Sequence, residues 1–136
     1  MRVYIAAKWE AHDMIQNVVK PRLESLGYTI VSEWHDMTKH RAERVSLPYD
    51  EQMKNKGWML EEAYKDLRHI DLCDVVIVDQ TIPSSTGGRE VEIGYIYGKG
   101  KNFCLIGPRR NPFHWLAVTH YETWEDLFNT PGHPGK

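Results

Sequence analysis

The chain has 136 residues, 41% hydrophobic and 26% charged, which fits one ordinary globular domain with enough apolar material for a core that needs no disulfide or metal staple. A formal net charge of −2 excludes a bulk polyanion binder and makes polymeric nucleic acid a poor partner. No run approaches the ~20 apolar residues of a membrane span, and the first residues lack a signal peptide's long apolar stretch, so no membrane partner and a cytoplasmic location are expected.

Residues 2–7 read as a short buried strand. A helix is expected over 10–26, because Ala11, Ile15, Val18, Val19, Leu23 and Leu26 recur at three- and four-residue spacings and Gly27 is a plausible stop. Pro21 inside that stretch should bend or break it. Residues 28–31 read as a second strand. The polar, unperiodic stretch 33–50 is long for a loop, and such loops are usually functional or disordered. A helix over 50–71 follows, with Leu60, Ala63, Leu67 and Ile70 as its buried stripe. Residues 73–78, nearly all Val and Ile, suit a central strand covered on both faces. After a turn-rich loop come a helix over 89–98, a strand over 103–106, a loop over 107–112, a short strand over 118–121 and a short helix over 123–128. The tail 131–136 reads as loose, leaving 1–130 as the single domain. Strands alternating with helices imply right-handed crossovers and a parallel sheet, with the site beyond the carboxyl ends of the strands.

Cys73 and Cys104 sit in or beside apolar strand-like runs, and with no C-x-x-C or metal-like spacing they read as buried thiols packing as small hydrophobes. The seven histidines show no metal-ligand spacing, and His35 beside Asp36 is a weak hint only. Trp9 and Trp34 fall at strand ends, where an aromatic ring can stack on a base or simply fill the core.

The loop Ser84-Ser85-Thr86-Gly87-Gly88-Arg89 feeds directly into a helix. Small residues let the backbone approach a ligand, and first-turn amides with hydroxyls favour an anion; the alternative is an ordinary capped turn. It is not a P-loop, because the glycine–lysine spacing is absent. Glu92 follows, one turn into that helix between apolar neighbours, either half-buried with a purpose or on the solvent face by chance. Glu90 and Glu92 point about 200° apart, so at most one faces the cleft easily. The helix N-terminus is expected to keep the Glu92 pKa low, which suits a nucleophile. Asp66, beside the stripe of the preceding helix, either aims at the same cleft or pairs on the surface.

These pieces resemble the nucleoside 2-deoxyribosyltransferase family, including its related deoxynucleoside 5′-monophosphate N-glycosidases. The likeness lies in the start Val3-Tyr4-Ile5-Ala6-Ala7-Lys8-Trp9, in Asp66-Leu67 and Ile70 followed by Cys73-Asp74-Val75-Val76-Ile77, and in Pro83-Ser84, Gly87-Gly88, Glu92-Ile93-Gly94-Tyr95 and Gly100-Lys101. It runs over roughly residues 2–106 in order and spacing. The resemblance implies a single-domain Rossmann/flavodoxin-like three-layer α/β sandwich with a mainly parallel sheet of about five strands. It implies Glu92 as the nucleophile that forms a glycosyl-enzyme ester, Asp66 as the group that holds substrate or protonates the leaving base, and Tyr4 as a substrate-binding residue. Ala6, Lys8 and Trp9 fall where the first strand and turn line the pocket. His114 best matches a polar residue that reaches into a neighbouring subunit's site, so a homodimer or higher homo-oligomer is implied. Where the transferases carry an aspartate six residues before the nucleophile, this chain has Thr86, which is more like the N-glycosidases, where a hydroxyl residue helps hold a 5′-phosphate; Lys8 and Arg89 would add positive charge there.

The expected chemistry follows retaining-glycosidase logic on a small nucleoside or nucleotide, with no metal or redox cofactor required. Transfer of a 2′-deoxyribosyl group to a second base is the first reading, hydrolysis of a deoxynucleoside 5′-monophosphate the second, and a non-catalytic nucleotide-binding module the third.

Overall fold

The run Val75–Asp79 is apolar on both of its alternating faces, and in the structure, a computed structural model describing residues 1–83, 86–130, 132 and 134, it forms β3, buried at every position. On one side β3 pairs with β1 (Arg2–Ala6), setting Tyr4 beside Val76 and Ala6 beside Val78. On the other it pairs with β4 (Asn102–Ile106), which in turn carries β5 (Thr119–Tyr121). β2 (Thr29–Ile30) closes the far edge against β1. The sheet is wholly parallel, in the order β2-β1-β3-β4-β5. That is the flavodoxin-like order, in which the winding reverses between β1 and β3 and opens a crevice at their carboxyl ends. The single-domain α/β architecture expected from the sequence is the one observed.

β2 is two residues long, so it cannot pair the last part of β1. Side chains replace it. The Ile5 amide donates to Ser32 Oγ at 3.2 Å, and the Trp34 indole donates to the Ile5 carbonyl at 2.6 Å. Ser32 Oγ is in turn 2.8 Å from His35 Nε2, while His35 Nδ1 lies 2.7 Å from Gln16 Oε1. The amide oxygen must accept, so the imidazole proton sits on Nδ1 and Ser32 donates to Nε2. Burial, aided by the Lys20 charge, holds His35 down at about 4, a neutral structural bridge. Its pairing with Asp36 carries no site: Asp36 accepts from Thr38 and caps a 3-10 turn, Met37–Lys39.

The helical run after β1 contains a 3-10 turn (Trp9–Ala11), an α turn α1 (His12–Met14), a π turn (Ile15–Val19) and α2 (Lys20–Ser25). The expected break at Pro21 takes the form of that π turn. A proline removes one helical hydrogen bond and crowds the carbonyl four residues earlier, and the wider π turn relieves both. It also explains the inward line Ala11, Ile15, Val19, Leu23: strict four-residue spacing drifts off one face of an α-helix but is kept there by local underwinding. Val18 and Leu26, expected in this stripe, are 58% and 50% exposed instead.

The 33–50 segment is ordered by its own short elements, the turn at Met37–Lys39 and α3 (Ala42–Val45). The helix expected over 50–71 is two helices, α4 (Tyr49–Met53) and α5 (Lys56–Leu72), separated where the Asn55 side chain accepts from the Trp58 amide and caps α5. The expected stripe of α5 holds only at its carboxyl end. Ile70 is buried and Leu67 partly so, but Leu60 is 42% exposed and Ala63 is exposed too. The inward face carries Met59, Glu62, Asp66 and His69, so polar side chains line what amphipathicity assigned to the solvent side.

α5 packs on β1 and on α6 (Gly88–Gly98), which lies over β3 and β4. On the other face α2 meets α7 (Trp124–Asn129), with Arg22 stacked 5.0 Å above the Phe128 ring. Two glycines fix the loops near the crevice. Gly87, at φ +83°, ends the loop before α6 in a left-handed conformation. Gly107, at φ +95°, brings the chain after β4 so close to the loop after β3 that a Cβ there would lie 2.9 Å from the Thr81 nitrogen.

Cys73 and Cys104 are free and buried as expected, with burial pushing the thiols up to about 11 and about 12. In the tail, the Gly132 carbonyl accepts from Tyr28 Oη at 3.2 Å and the Pro134 carbonyl from Thr119 Oγ1, while the rest of the expected loose 131–136 segment lies outside the described residues. No helix among the described residues is long and apolar enough to cross a membrane.

Candidate active site

Three elements deliver one acidic cluster. β1 supplies Tyr4, α5 supplies Asp66, and α6 supplies Glu92, and the three side chains interact. Glu92 is a half-buried residue whose Oε2 is shut from solvent with no hydrogen-bond partner. Asp66 repeats the pattern: half-buried, with Oδ1 sealed and unpartnered. Buried carboxyl oxygens are rarely left unmatched, and those that are mark a site that awaits a ligand or holds a proton.

The expectation of a low Glu92 pKa is overturned. Burial pushes Glu92 from 4.5 up to about 8; the Tyr4 hydroxyl and the Arg89 charge oppose the shift, and the Asp66 charge adds to it. Glu92 is the fifth residue of α6, beyond the free amides of the first turn, so the helix terminus cannot stabilise its charge directly. Burial likewise lifts Asp66 from 3.8 to about 7, with the Glu62 charge one turn away adding to it and Lys65 opposing. Tyr4 is raised well above 10 by burial and by both carboxyls, so it stays a neutral hydroxyl. Tyr4 and Ala6, expected to contact substrate, are each 1% exposed, and the Tyr4 side chain is hydrogen-bonded to the Glu92 carboxyl.

Around this centre the expected residues separate. Trp9, 44% exposed, stacks on His12 with centroids 4.4 Å apart and meets His40 edge-on at 5.6 Å, forming an open aromatic wall at the end of β1. Lys8 is part-buried, its Nζ 3.9 Å from Glu10. Thr86, Gly87 and Gly88 lead into α6, with Thr86 and Gly88 exposed; Ser84 and Ser85 lie outside the described residues. Arg89 is buried, its Nη1 donating to the Asp79 carbonyl at 2.5 Å while its Nη2 is sealed without a partner. The nearby Asp79 carboxylate is already satisfied by Thr81 and by the Trp124 indole at 2.8 Å. The Asp79, Glu90 and Glu92 charges all act on this buried guanidinium, and its Nη2 has no hydrogen-bond partner.

His114 departs from its expected role. It is 0% exposed and is bonded within its own chain, with Nδ1 accepting from the Arg110 amide at 2.8 Å and Nε2 lying 3.1 Å from Glu90 Oε1. It has no surface to offer a second subunit. Glu90, pointing away from Glu92 as the helical angle requires, gathers His114, Asn111 and Gln80 into a brace between α6 and the loops after β3 and β4.

Sequence reasoning missed Glu62 and Arg44. Glu62, Asp66 and His69 recur at helical spacing, a polar stripe that was legible but outweighed by the apolar alternative. Arg44 carried no local signal, because its burial depends on how the 33–50 segment folds against α5.

The chain is similar in structure to a 2-deoxyribosyltransferase from the psychrotolerant bacterium Bacillus psychrosaccharolyticus, with a TM-score of 0.74 and 20% identity over 96% of this chain and 93% of that one. It is also similar to a CMP N-glycosidase of Clostridium botulinum, with a TM-score of 0.55 and 20% identity over 94% of each chain. No protein-family model matches the sequence, and no curated protein matches it. The fold is thus shared with a 2-deoxyribosyltransferase and a CMP N-glycosidase.

Proposed function

We propose that the protein is an enzyme that cleaves the N-glycosidic bond of a 2′-deoxynucleoside and transfers the deoxyribosyl group to another base through a covalent ester on Glu92. The observation that carries this reading is the pair of sealed, unpartnered carboxyl oxygens on Glu92 and Asp66. Two like charges in a poorly hydrated site do not both ionise near neutral pH, so the pair holds one proton between them. Retaining chemistry needs that division. In the free protein that proton rests mainly on Glu92, the more strongly raised of the two; as positive charge develops at C1′ the proton passes to Asp66, so that Glu92, now ionised, stabilises the cation and bonds to it while Asp66 gives the proton to the departing base. The developing positive charge favours the carboxylate form of Glu92, which burial alone disfavours, and the Tyr4 hydroxyl supports that form. A second base then takes the sugar and restores both groups. The likeness to a 2-deoxyribosyltransferase supports this reading.

A second reading, hydrolysis of a deoxynucleoside 5′-monophosphate, is favoured by the free Nη2 of buried Arg89 beside the exposed Thr86 at the start of α6. There the 5′-phosphate would meet a guanidinium whose Nη2 has no hydrogen-bond partner. The likeness to a CMP N-glycosidase supports it. A third, a non-catalytic nucleotide-binding module, predicts binding that Glu92→Ala leaves intact and no base release.

The test is incubation with a deoxynucleoside, a deoxynucleoside monophosphate and a free acceptor base, with mass spectrometry of protein trapped by a 2′-fluoro nucleoside. Base exchange and a glycosyl adduct on Glu92 are expected. Free sugar without exchange moves the assignment to hydrolysis. Glu92→Ala is expected to lose at least about 3 kcal/mol of transition-state stabilisation, more than two orders of magnitude in kcat/KM; activity within a few-fold of the parent overturns the role.

A further inference from the structure

Arg44 is 8% exposed, a buried cation on α3 pressed against α5. Its Nη2 donates to Glu61 Oε2 at 2.7 Å and its Nη1 lies 3.9 Å from Glu62 Oε1. The guanidinium covers the Trp58 ring at 5.1 Å, and its Nε is sealed without a partner. From the same segment, His40 Nδ1 stands 4.0 Å from Glu62 Oε1, while its Nε2 donates to the Trp34 carbonyl at 2.7 Å. Lys65 Nζ adds a third contact to Glu62, at 3.2 Å. Glu62 is therefore a half-buried carboxylate ringed by basic side chains, two of them brought by residues 33–50.

One helical turn further along the same face lies Asp66. Residues four apart on a helix are neighbours, and two carboxylates so placed repel. A loop segment that only needed anchoring would not have to bury a guanidinium, whose desolvation is costly. Placed here, Arg44 bonds Glu61 and also stands 3.9 Å from Glu62, the acidic neighbour of Asp66 on its own helix.

We propose that Glu62 is a positioning residue for the proton on Asp66 and that Arg44, docked from the 33–50 segment, sets how strongly its charge is felt. The inference rests on the reading of Asp66 as the acid that protonates the leaving base. The charged and titratable groups facing Asp66 are Glu62 and Lys65 from its own helix, Glu92 from α6 and Tyr4 from β1; Arg44 and His40 act on it through Glu62. A negative Glu62 holds the proton on Asp66, and Arg44 weakens that hold.

The experiment is a carbon-13 NMR titration of the Asp66 carboxyl in the full chain, alongside the pH profile of kcat/KM for base release. Glu62→Gln is expected to lower the Asp66 midpoint by about one pH unit, the size of a neighbouring charge felt at intermediate dielectric. Arg44→Met is expected to raise it, and the double variant to return to the Glu62→Gln value. The alkaline limb of the profile should move with each midpoint. A purely structural role would disturb both single variants in the same sense. An Asp66 midpoint unmoved in Glu62→Gln overturns the proposal, and because that change is isosteric it decides the matter even should Arg44→Met fail to fold. The midpoint needs no turnover, so failure of the enzymatic reading is seen separately, as base release that does not depend on Glu92.

Discussion

At the scale of single residues, Glu92 shows how a helix can present a carboxyl without stabilising its charge. Four residues past the start of α6, with Oε2 sealed and only the Tyr4 hydroxyl and the Arg89 charge in its favour, it keeps its proton up to about pH 8. The linkage has a definite sign. Its folded pKa lies above the unfolded value near 4.5, so its contribution to stability is fully present below that value and is lost as pH rises through about 8. Asp66, raised to about 7, adds in the same direction. Thermal melts between pH 5 and 9 should therefore show the parent losing Tm as pH rises, over the window set by these two shifts. Glu92→Gln should melt above the parent at the alkaline end and lose part of that slope, and a parallel slope in both proteins would refute the assigned proton. Such a gain in stability, alongside lost activity, is what a strained functional carboxyl produces.

At the scale of elements, the loops after β3 and β4 are built against each other rather than against solvent. The Arg110 Nε donates to the Gln80 carbonyl at 3.1 Å, Glu90 ties in His114 and Asn111, and Gly107 gives the close approach. Gly107→Ala meets two obstacles, a φ of +95° and a Cβ 2.9 Å from backbone that cannot retreat. A loss of stability on the order of 1–3 kcal/mol is expected from chemical denaturation, with the slope of the transition unchanged. Gly87→Ala, at φ +83° but with nothing within 4 Å of the added atom, should cost less. On β1, the short β2 leaves Ile5 to be paired by Ser32 and Trp34, which carries the aromatic wall of Trp34 and Trp9 to the mouth of the crevice.

At the scale of the whole molecule, the winding reversal between β1 and β3 explains why Tyr4, Asp66 and Glu92 meet although they lie far apart in the chain: the helices that follow the reversal both pack on one face, over the strands beside it. The outer surface suggests association. Phe113 and Trp115 are 65% and 69% exposed, with Leu116 and Val118 beside them, and Arg109 lies 3.9 Å above the Trp115 ring. Apolar groups so gathered mark contact surfaces. A homodimer or larger homo-oligomer is expected by light scattering, and Trp115→Glu should shift it toward monomer; a parent chain that is monomeric at micromolar concentration would count against this surface as a subunit contact.

The sequence by itself determined the alternation of strands with helices, the central place of the 73–78 run and the placing of Glu92 in the helix after the Ser84 to Arg89 loop, because hydrophobic periodicity, glycine stops and cap residues act over a few neighbouring positions. It also made the break at Pro21 legible, though not its π form. The tertiary structure decided the rest. Whether Leu60 or Glu62 faces inward depends on what α5 packs against, and a polar site on that face outweighed the apolar pattern. The resemblance points His114 at a neighbouring subunit, and nothing local reveals that Arg110 and Glu90 already satisfy both of its ring nitrogens. The proton on Glu92 likewise belongs to no stretch of sequence. A carboxyl's charge is set by the water it loses and the charges brought near it, and those come from β1, α5 and the start of α6 together.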